Sequence, residues 1–139
     1  MNPMNLKRRL AAGVLLGVVF VALEFLVHGC LLSGVYKETE SVWRLESEMK
    51  SLFGLMIAAQ FVFGVFFGIV FAQGYEPRRA PVGQGFRYGL IMGAMLAPMN
   101  SLVWYVLLPI PMMLAVYWLL AGFFEMVVLG IVASFVYKP

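Results

Sequence analysis

Aspartate does not occur in this chain, cysteine and histidine occur once each, and charged residues make up only 12% of its 139 residues. A soluble globular domain is usually about a quarter charged. Such low charge excludes a disordered chain and a nucleic-acid-binding domain, both of which need charge in quantity. The single cysteine, Cys30, rules out an intrachain disulfide and therefore a small secreted disulfide scaffold. The single histidine, His28, rules out a bis-histidine haem within one monomer, and without Asp no Ser-His-Asp set can be completed. Phosphate-cradling Gly-Lys-Ser/Thr, Cys-x-x-Cys and zinc-type clusters are also missing.

What is present is apolar. Hydrophobic residues account for 63% of the chain and the mean hydropathy is +0.91, more apolar surface than a core of this size can hide. Four runs, roughly residues 10–32, 52–71, 86–108 and 112–136, each reach the roughly 20 residues that a spanning helix needs. The expected fold class is an all-α membrane protein, a four-transmembrane-helix bundle forming one domain over residues 1–139. The connecting segments are too short for a soluble domain. Residues 36–50 are polar and carry Glu38, Glu40, Glu46 and Glu48; Ser41 is expected to N-cap a short helix, with Glu46 four residues before Lys50. Residues 73–85, with Gly74, Pro77, Pro81 and Gly83, read as an irregular turn. Pro109-Ile110-Pro111 leaves room only for a tight antiparallel hairpin.

The first run follows Lys7, Arg8 and Arg9 as a signal peptide would, but its length and Glu24 argue against cleavage. Basic residues fix the expected orientation. With the N-terminus inside, Lys7, Arg8, Arg9, Arg78, Arg79, Arg87 and Lys138 are internal, and Lys37, Arg44 and Lys50 external. Seven against three predicts cytoplasmic N- and C-termini. Tyr36, Trp43 and Trp104 are then expected near the outer interface, and Tyr75, Tyr88 and Tyr137 near the inner one.

An internal repeat is visible. A shift of 76 superposes Gly13 on Gly89, Gly17 on Gly93 and Glu24 on Asn100; a shift of 62 superposes Gly68 on Gly130 and Phe61 on Phe123. Two repeated helical hairpins, or coincidence in a Gly- and Val-rich chain, account for this equally. Glycines four apart (Gly13/Gly17, Gly64/Gly68, Gly85/Gly89 and Gly89/Gly93) predict close helix packing. A surplus glycine face on the third span is available for a homodimer, and a homo-oligomer is expected because four short helices enclose little volume.

The few polar groups inside the apolar runs are the candidate site: Glu24, His28, Gln60, Asn100 and Glu125, with Ser101 beside them. A carboxylate near a bilayer centre costs about 2.5–3.5 kcal/mol, so two need partners. At about 1.5 Å per residue, Glu24, Gln60 and Asn100 lie roughly 3–5 Å to the outer side of their span midpoints, and Glu125 within about 2 Å. Gly13, Gly17, Glu24 and His28 share one helical stripe, as do Gly89, Gly93, Asn100 and Trp104. Pro98 should free the carbonyl of Ala94 near the same level.

Three readings stay open. One is a hydrogen-bonded cluster that fixes helix register. The second is a small carrier or channel, with Glu24, His28, Gln60, Asn100 and Glu125 binding a proton, cation or small polar solute, and no cofactor. The third is a metal- or haem-binding redox protein in which Glu24, His28 and Glu125 hold a transition metal. Met92, Met95 and Met99 with Cys30 add a weak copper signal, since thioethers commonly fill gaps between helices. A non-catalytic assembly partner is a further expectation; the lipid bilayer is the expected surrounding and nucleic acid is not a partner.

The stretch Glu24-Phe25-Leu26-Val27-His28-Gly29, continuing through Leu31-Leu32 to Tyr36 and Trp43-Arg44, resembles a pattern near the first span of small, uncharacterised bacterial inner-membrane proteins. The resemblance covers about a fifth of the chain. It implies a four-helix protein of the bacterial inner (cytoplasmic) membrane, with Glu24, His28, Tyr36 and Trp43 as matching positions. It implies no activity.

Overall fold

The computed structural model describes residues 6–137. Helix α1 (Leu6–Glu24) continues without a break into a π-helical segment, Phe25–Leu31. A short helix α2 (Ser33–Glu38) and a 3₁₀ turn (Glu40–Val42) lead to α3 (Glu46–Gln73), followed by α4 (Pro81–Leu107) and α5 (Met112–Val136). No strand occurs among the described residues. Four helices, spanning Leu10–Leu31, Glu46–Gln73, Pro81–Leu107 and Met112–Val136, are long and apolar enough to cross a membrane. Lys138 lies outside the described residues, as do the side chains of Lys7, Arg8 and Arg9.

The helix boundaries differ from the sequence expectation in two loops. Pro81 occupies the first turn of α4, where its missing N–H leaves no intrahelical bond unmade, and Gly83 and Gly85 belong to the helix. The turn therefore shortens to residues 74–80. It is held by Gln84, whose Nε2 donates to the carbonyls of Glu76 (2.9 Å) and Arg79 (3.1 Å) while its Oε1 accepts from the Glu76 N–H (2.8 Å). Ser41 caps nothing: it lies in the 3₁₀ turn, and α3 starts at Glu46 after Leu45, without a side-chain cap. Glu46 instead pairs with Lys50 at 2.8 Å on the exposed first turn, where charge opposite the helix dipole is favourable.

Packing is organised as two hairpins. In the first, α1 lies against α3: a Cβ on Gly17 would meet the Phe61 ring, and one on Gly64 would meet the backbone of Gly17 and Leu16. In the second, α4 lies along most of α5, with Gly85 and Gly89 seated on the backbone of Gly130 and Met126, and Gly93 on Phe123. Removing side chains at these crossings lets backbones approach more closely than any larger residue permits. Gly85, Gly89 and Gly93 of α4 are thus taken up inside the chain, so the spaced glycines expected to be available for a homodimer are already packed, and Gly83 alone stays exposed.

The hairpins meet chiefly through α1 and α5. At one end Leu16, Phe20, Phe67, Phe71, Met126 and Leu129 form an apolar core. Beside that core Tyr88 and Tyr137 meet the Phe71 ring edge-on, while Tyr75 is tilted against Phe71 and edge-on to Tyr137. At the other end Val27, Leu32, Ile110 and Leu114 form a second core, covered by Tyr36, Trp43 and Trp118. Ile110, in the two-proline turn, is buried there and fixes how α5 departs from α4. The outward faces stay apolar, with Leu55 at 70% and Phe66 at 61% exposure.

Candidate functional site

Three of the expected residues converge. Glu24 at the end of α1, His28 one turn on in the π-helical segment and the buried Glu125 of α5 bring ligand-type atoms within 4.8 Å of one another. Gln60 joins from α3, its Nε2 donating to Glu24 Oε2 at 3.1 Å. The i, i+4 spacing of Glu24 and His28 is legible in sequence. The approach of Gln60 and Glu125 to Glu24, from far along the chain, is set by the α1–α3 and α1–α5 contacts.

Exposure falls in one direction through the cluster. The His28 side chain is 34% exposed and that of Glu24 21%, whereas Glu125 is almost fully enclosed. Glu125 Oε1 is buried with no hydrogen-bond partner. An unpaired buried carboxyl oxygen costs about 1–3 kcal/mol or more, and such groups call for a proton, water or ion as partner. His28 Nε2 stands 3.8 Å from Glu24 Oε2, too far for a hydrogen bond but facing it.

The π-helical segment gives His28 its aim. Leu32 N–H donates to Val27 C=O at 2.9 Å, five residues back, so the chain is wider here than an α-helix. Gly29, inside the segment, leaves room for the Phe25 ring, which would stand 3.0 Å from a Cβ there. Segments of this kind are found frequently at functional sites.

Two residues outside the expected set complete the surroundings. Tyr36 hydrogen-bonds His28 Nδ1, and Trp118 Nε1 donates to the same hydroxyl at 2.7 Å. With Trp118 as donor, the Tyr36 proton is free to be given to Nδ1, which leaves the other ring proton on Nε2, towards Glu24. Burial pushes the Tyr36 phenol up to about 12, the Trp118 bond opposing and the charges of Glu24 and Glu125 adding to the rise. Trp43 closes the layer, edge-on to Tyr36 and bonded through Nε1 to Thr39 Oγ1 at 3.0 Å. Tyr36 and Trp43, expected at an outer interface, therefore form a cap over the cluster. Trp104 is half exposed and takes no part in it.

Asn100 does not join. It is exposed, whereas Gly85, Gly89, Gly93, Ala97 and Ser101 form the buried seam of α4. A seam that follows every fourth residue turns by about 40° per step around the helix. From Gly89 it has moved about 120° by Ser101, while Asn100 remains within about 20° of Gly89 and is left behind. Ser101, fully buried, bonds its own helix at the Ala97 carbonyl. Ala94, whose carbonyl Pro98 releases, is exposed and faces away from the seam, so the expected extra acceptor is not supplied to the buried side. Cys30, Met95 and Met99 are likewise exposed and do not assemble with His28.

The cluster has the donor set for a proton or a cation: two carboxylates and an imidazole, two of them held by amide or phenol partners. Two ionised carboxylates sharing such a space repel, and a positive charge between them relieves the repulsion. Comparison with known proteins finds no matching family model, no matching curated protein and no matching solved structure.

Proposed function

We propose that this chain is a multi-pass protein of the bacterial inner membrane, with cytoplasmic termini, acting as a small carrier or channel with a cation-type site between its helices. The observation that carries the reading is the unpartnered, enclosed Glu125 carboxyl facing Glu24 and His28 within a bundle whose outer surface is apolar. In water such a surface would drive aggregation; in lipid it is the required exterior. A carboxylate pair held inside such a bundle is the usual form of an ion or proton pathway.

Glu24 and Glu125 are the groups that take the proton, cation or small polar solute. Gln60 orients Glu24, and His28 is the gate at the more accessible end, under the Tyr36–Trp43–Trp118 cap. The core around Phe20, Phe67 and Leu129 closes the opposite direction. Passage then needs the two hairpins to move apart, which the glycine packing within each hairpin favours: each pair is a stiff unit, and the contact between pairs is smaller.

The same reading includes a duplicated architecture. Gly17 meets Phe61 as Gly93 meets Phe123, Gly13 meets Val65 as Gly89 meets Val127, and Gly13 lies near Gly68 as Gly89 lies near Gly130. These are the pairs related by the shifts of 76 and 62. They support two repeated hairpins, in which Asn100 of the second stands at the position of Glu24 in the first. The homo-oligomer that belongs to this reading uses a surface other than Gly85, Gly89 and Gly93, which are packed on α5.

The test is reconstitution in liposomes with a pH-sensitive dye inside and an imposed ion gradient. Wild-type protein should give a flux that Glu24→Gln and Glu125→Gln each abolish. Equal flux from the double variant and the wild type would reject the site.

A further inference from the structure

We propose that the cation taken by Glu24, His28 and Glu125 is a divalent transition-metal ion, an inference that rests on reading this cluster as a cation site. Charge balance is the first reason. Two carboxylates and a neutral imidazole carry two negative charges, which one dication cancels, leaving a neutral complex inside an apolar bundle. A monovalent ion would leave a net charge there, which low-dielectric surroundings penalise.

Donor chemistry is the second. Calcium takes six to eight oxygen ligands and magnesium prefers octahedral oxygen with retained water, whereas a nitrogen donor beside two carboxylates suits zinc, manganese, iron or cobalt. Ligands about 2.1 Å from an ion stand about 3–4 Å apart. The atoms here lie within 4.8 Å, and Glu125 Oε1, bound to nothing, is free to close the difference.

The surroundings are the third reason. Ligating histidines are held through the second ring nitrogen, and ligating carboxylates are themselves hydrogen-bonded. His28 is held at Nδ1 by Tyr36, leaving Nε2 towards Glu24, and Glu24 is held by Gln60. Metal binding at Nε2 moves the ring proton to Nδ1, which then donates to Tyr36. The phenol oxygen receives that bond together with the one from Trp118. Tyr36 is thus a positioning residue for the metal. Three protein ligands leave a coordination position open for exchange.

The test is titration of the full chain, purified in detergent, with Co²⁺, whose visible bands report its ligands. One Co²⁺ per chain should bind, be displaced by Zn²⁺ and resist an excess of Mg²⁺. His28→Gln and Glu125→Gln should each weaken binding at least tenfold, and Tyr36→Phe should weaken it by roughly ten- to a hundredfold with unchanged stoichiometry. Absent Co²⁺ bands in the wild type, displacement by Mg²⁺ as readily as by Zn²⁺, or undiminished affinity in folded His28→Gln would overturn the assignment. The first two outcomes need no variant. Proton flux in liposomes without Co²⁺ binding overturns the metal and leaves the carrier standing; Co²⁺ binding at this cluster without flux supports the metal and removes the carrier.

Discussion

Gln60 Nε2 donates to Glu24 Oε2 over 3.1 Å, so an amide from α3 sets the direction of a carboxyl group at the end of α1. The bond ties the site to the glycine-packed crossing of the same two helices. Gln60→Leu should lower stability by about 1 kcal/mol, the ordinary net worth of such a bond. Denaturant titration in detergent checks this. An unmoved midpoint would show that Glu24 finds its orientation elsewhere.

Glu125 predicts the opposite sign. Its Oε1 is enclosed without a partner, so Glu125→Met, which keeps the bulk and removes the polar atoms, should raise stability by about 1–3 kcal/mol. The same variant should lose flux. Gain in one property and loss in the other is the signature of a group kept for function at a cost to the fold. A destabilised Glu125→Met would mean that the carboxyl is structural.

The phenol of Tyr36 should titrate late. Its ordinary value of 10.0 is pushed up to about 12 by burial, so the fold favours the protonated form. The stability this contributes is fully present below about pH 10 and is lost as pH rises through about 12. Followed by tyrosinate absorbance, Tyr36→Phe should remove one tyrosine from the late-titrating fraction. If it removes one from the early fraction, Tyr36 is open to water.

Close packing makes a prediction at paired glycines. A Cβ at Gly64 meets the backbone of Gly17 and Leu16, and a Cβ at Gly54, on the same helix, meets nothing within 4 Å. Gly64→Val should cost about 1–3 kcal/mol or more by overpacking. Gly54→Ala should be neutral or stabilise by up to about 1 kcal/mol through helix propensity. Equal thermal midpoints for the two variants would contradict the close α1–α3 crossing.

The turn between the hairpins depends on Gln84. Gln84→Ala removes all three of its bonds to the Glu76 and Arg79 backbone. Trypsin should then cut after Arg78 or Arg79 roughly tenfold faster, as loss of about 1.4 kcal/mol of local stability implies. An unchanged cleavage rate would place the restraint in the Glu76–Arg79 ion pair instead.

The four long helices were legible in the sequence because hydropathy over twenty residues is a strong signal. Glu24, His28, Gln60 and Glu125 were legible because a polar group in such a run is costly and must find a partner inside the bundle. Tyr36 and Trp118 were not. An aromatic that donates or accepts one hydrogen bond has the same spacing as one that fills space, and α2, six residues long, is too short for periodicity to register. Asn100 departs from the expected stripe for a geometric reason: the contact line of α4 follows every fourth residue and winds around the helix away from it. Pro81 and Gly83 read as a loop because turn-forming residues carry no mark of which side of a helix start they occupy.

The π-helical segment has a consequence for how the chain tolerates change in length. A π turn holds one more residue than an α turn over the same hydrogen-bonded rise. Removing one residue from Phe25–Leu31 would let the segment close into ordinary α-helix, at no loss of backbone bonding. The chain beyond it would keep nearly its present direction, because the widened turn already absorbs the residue removed. Tyr36 would stay with Trp118, and the cap would remain above Glu24 and Glu125. The residues inside the segment would shift instead, because an α-helix advances by about 100° per residue and a wider turn by less. The added residue therefore acts on the aim of His28 beneath the cap and leaves the layer above the carboxylates in place.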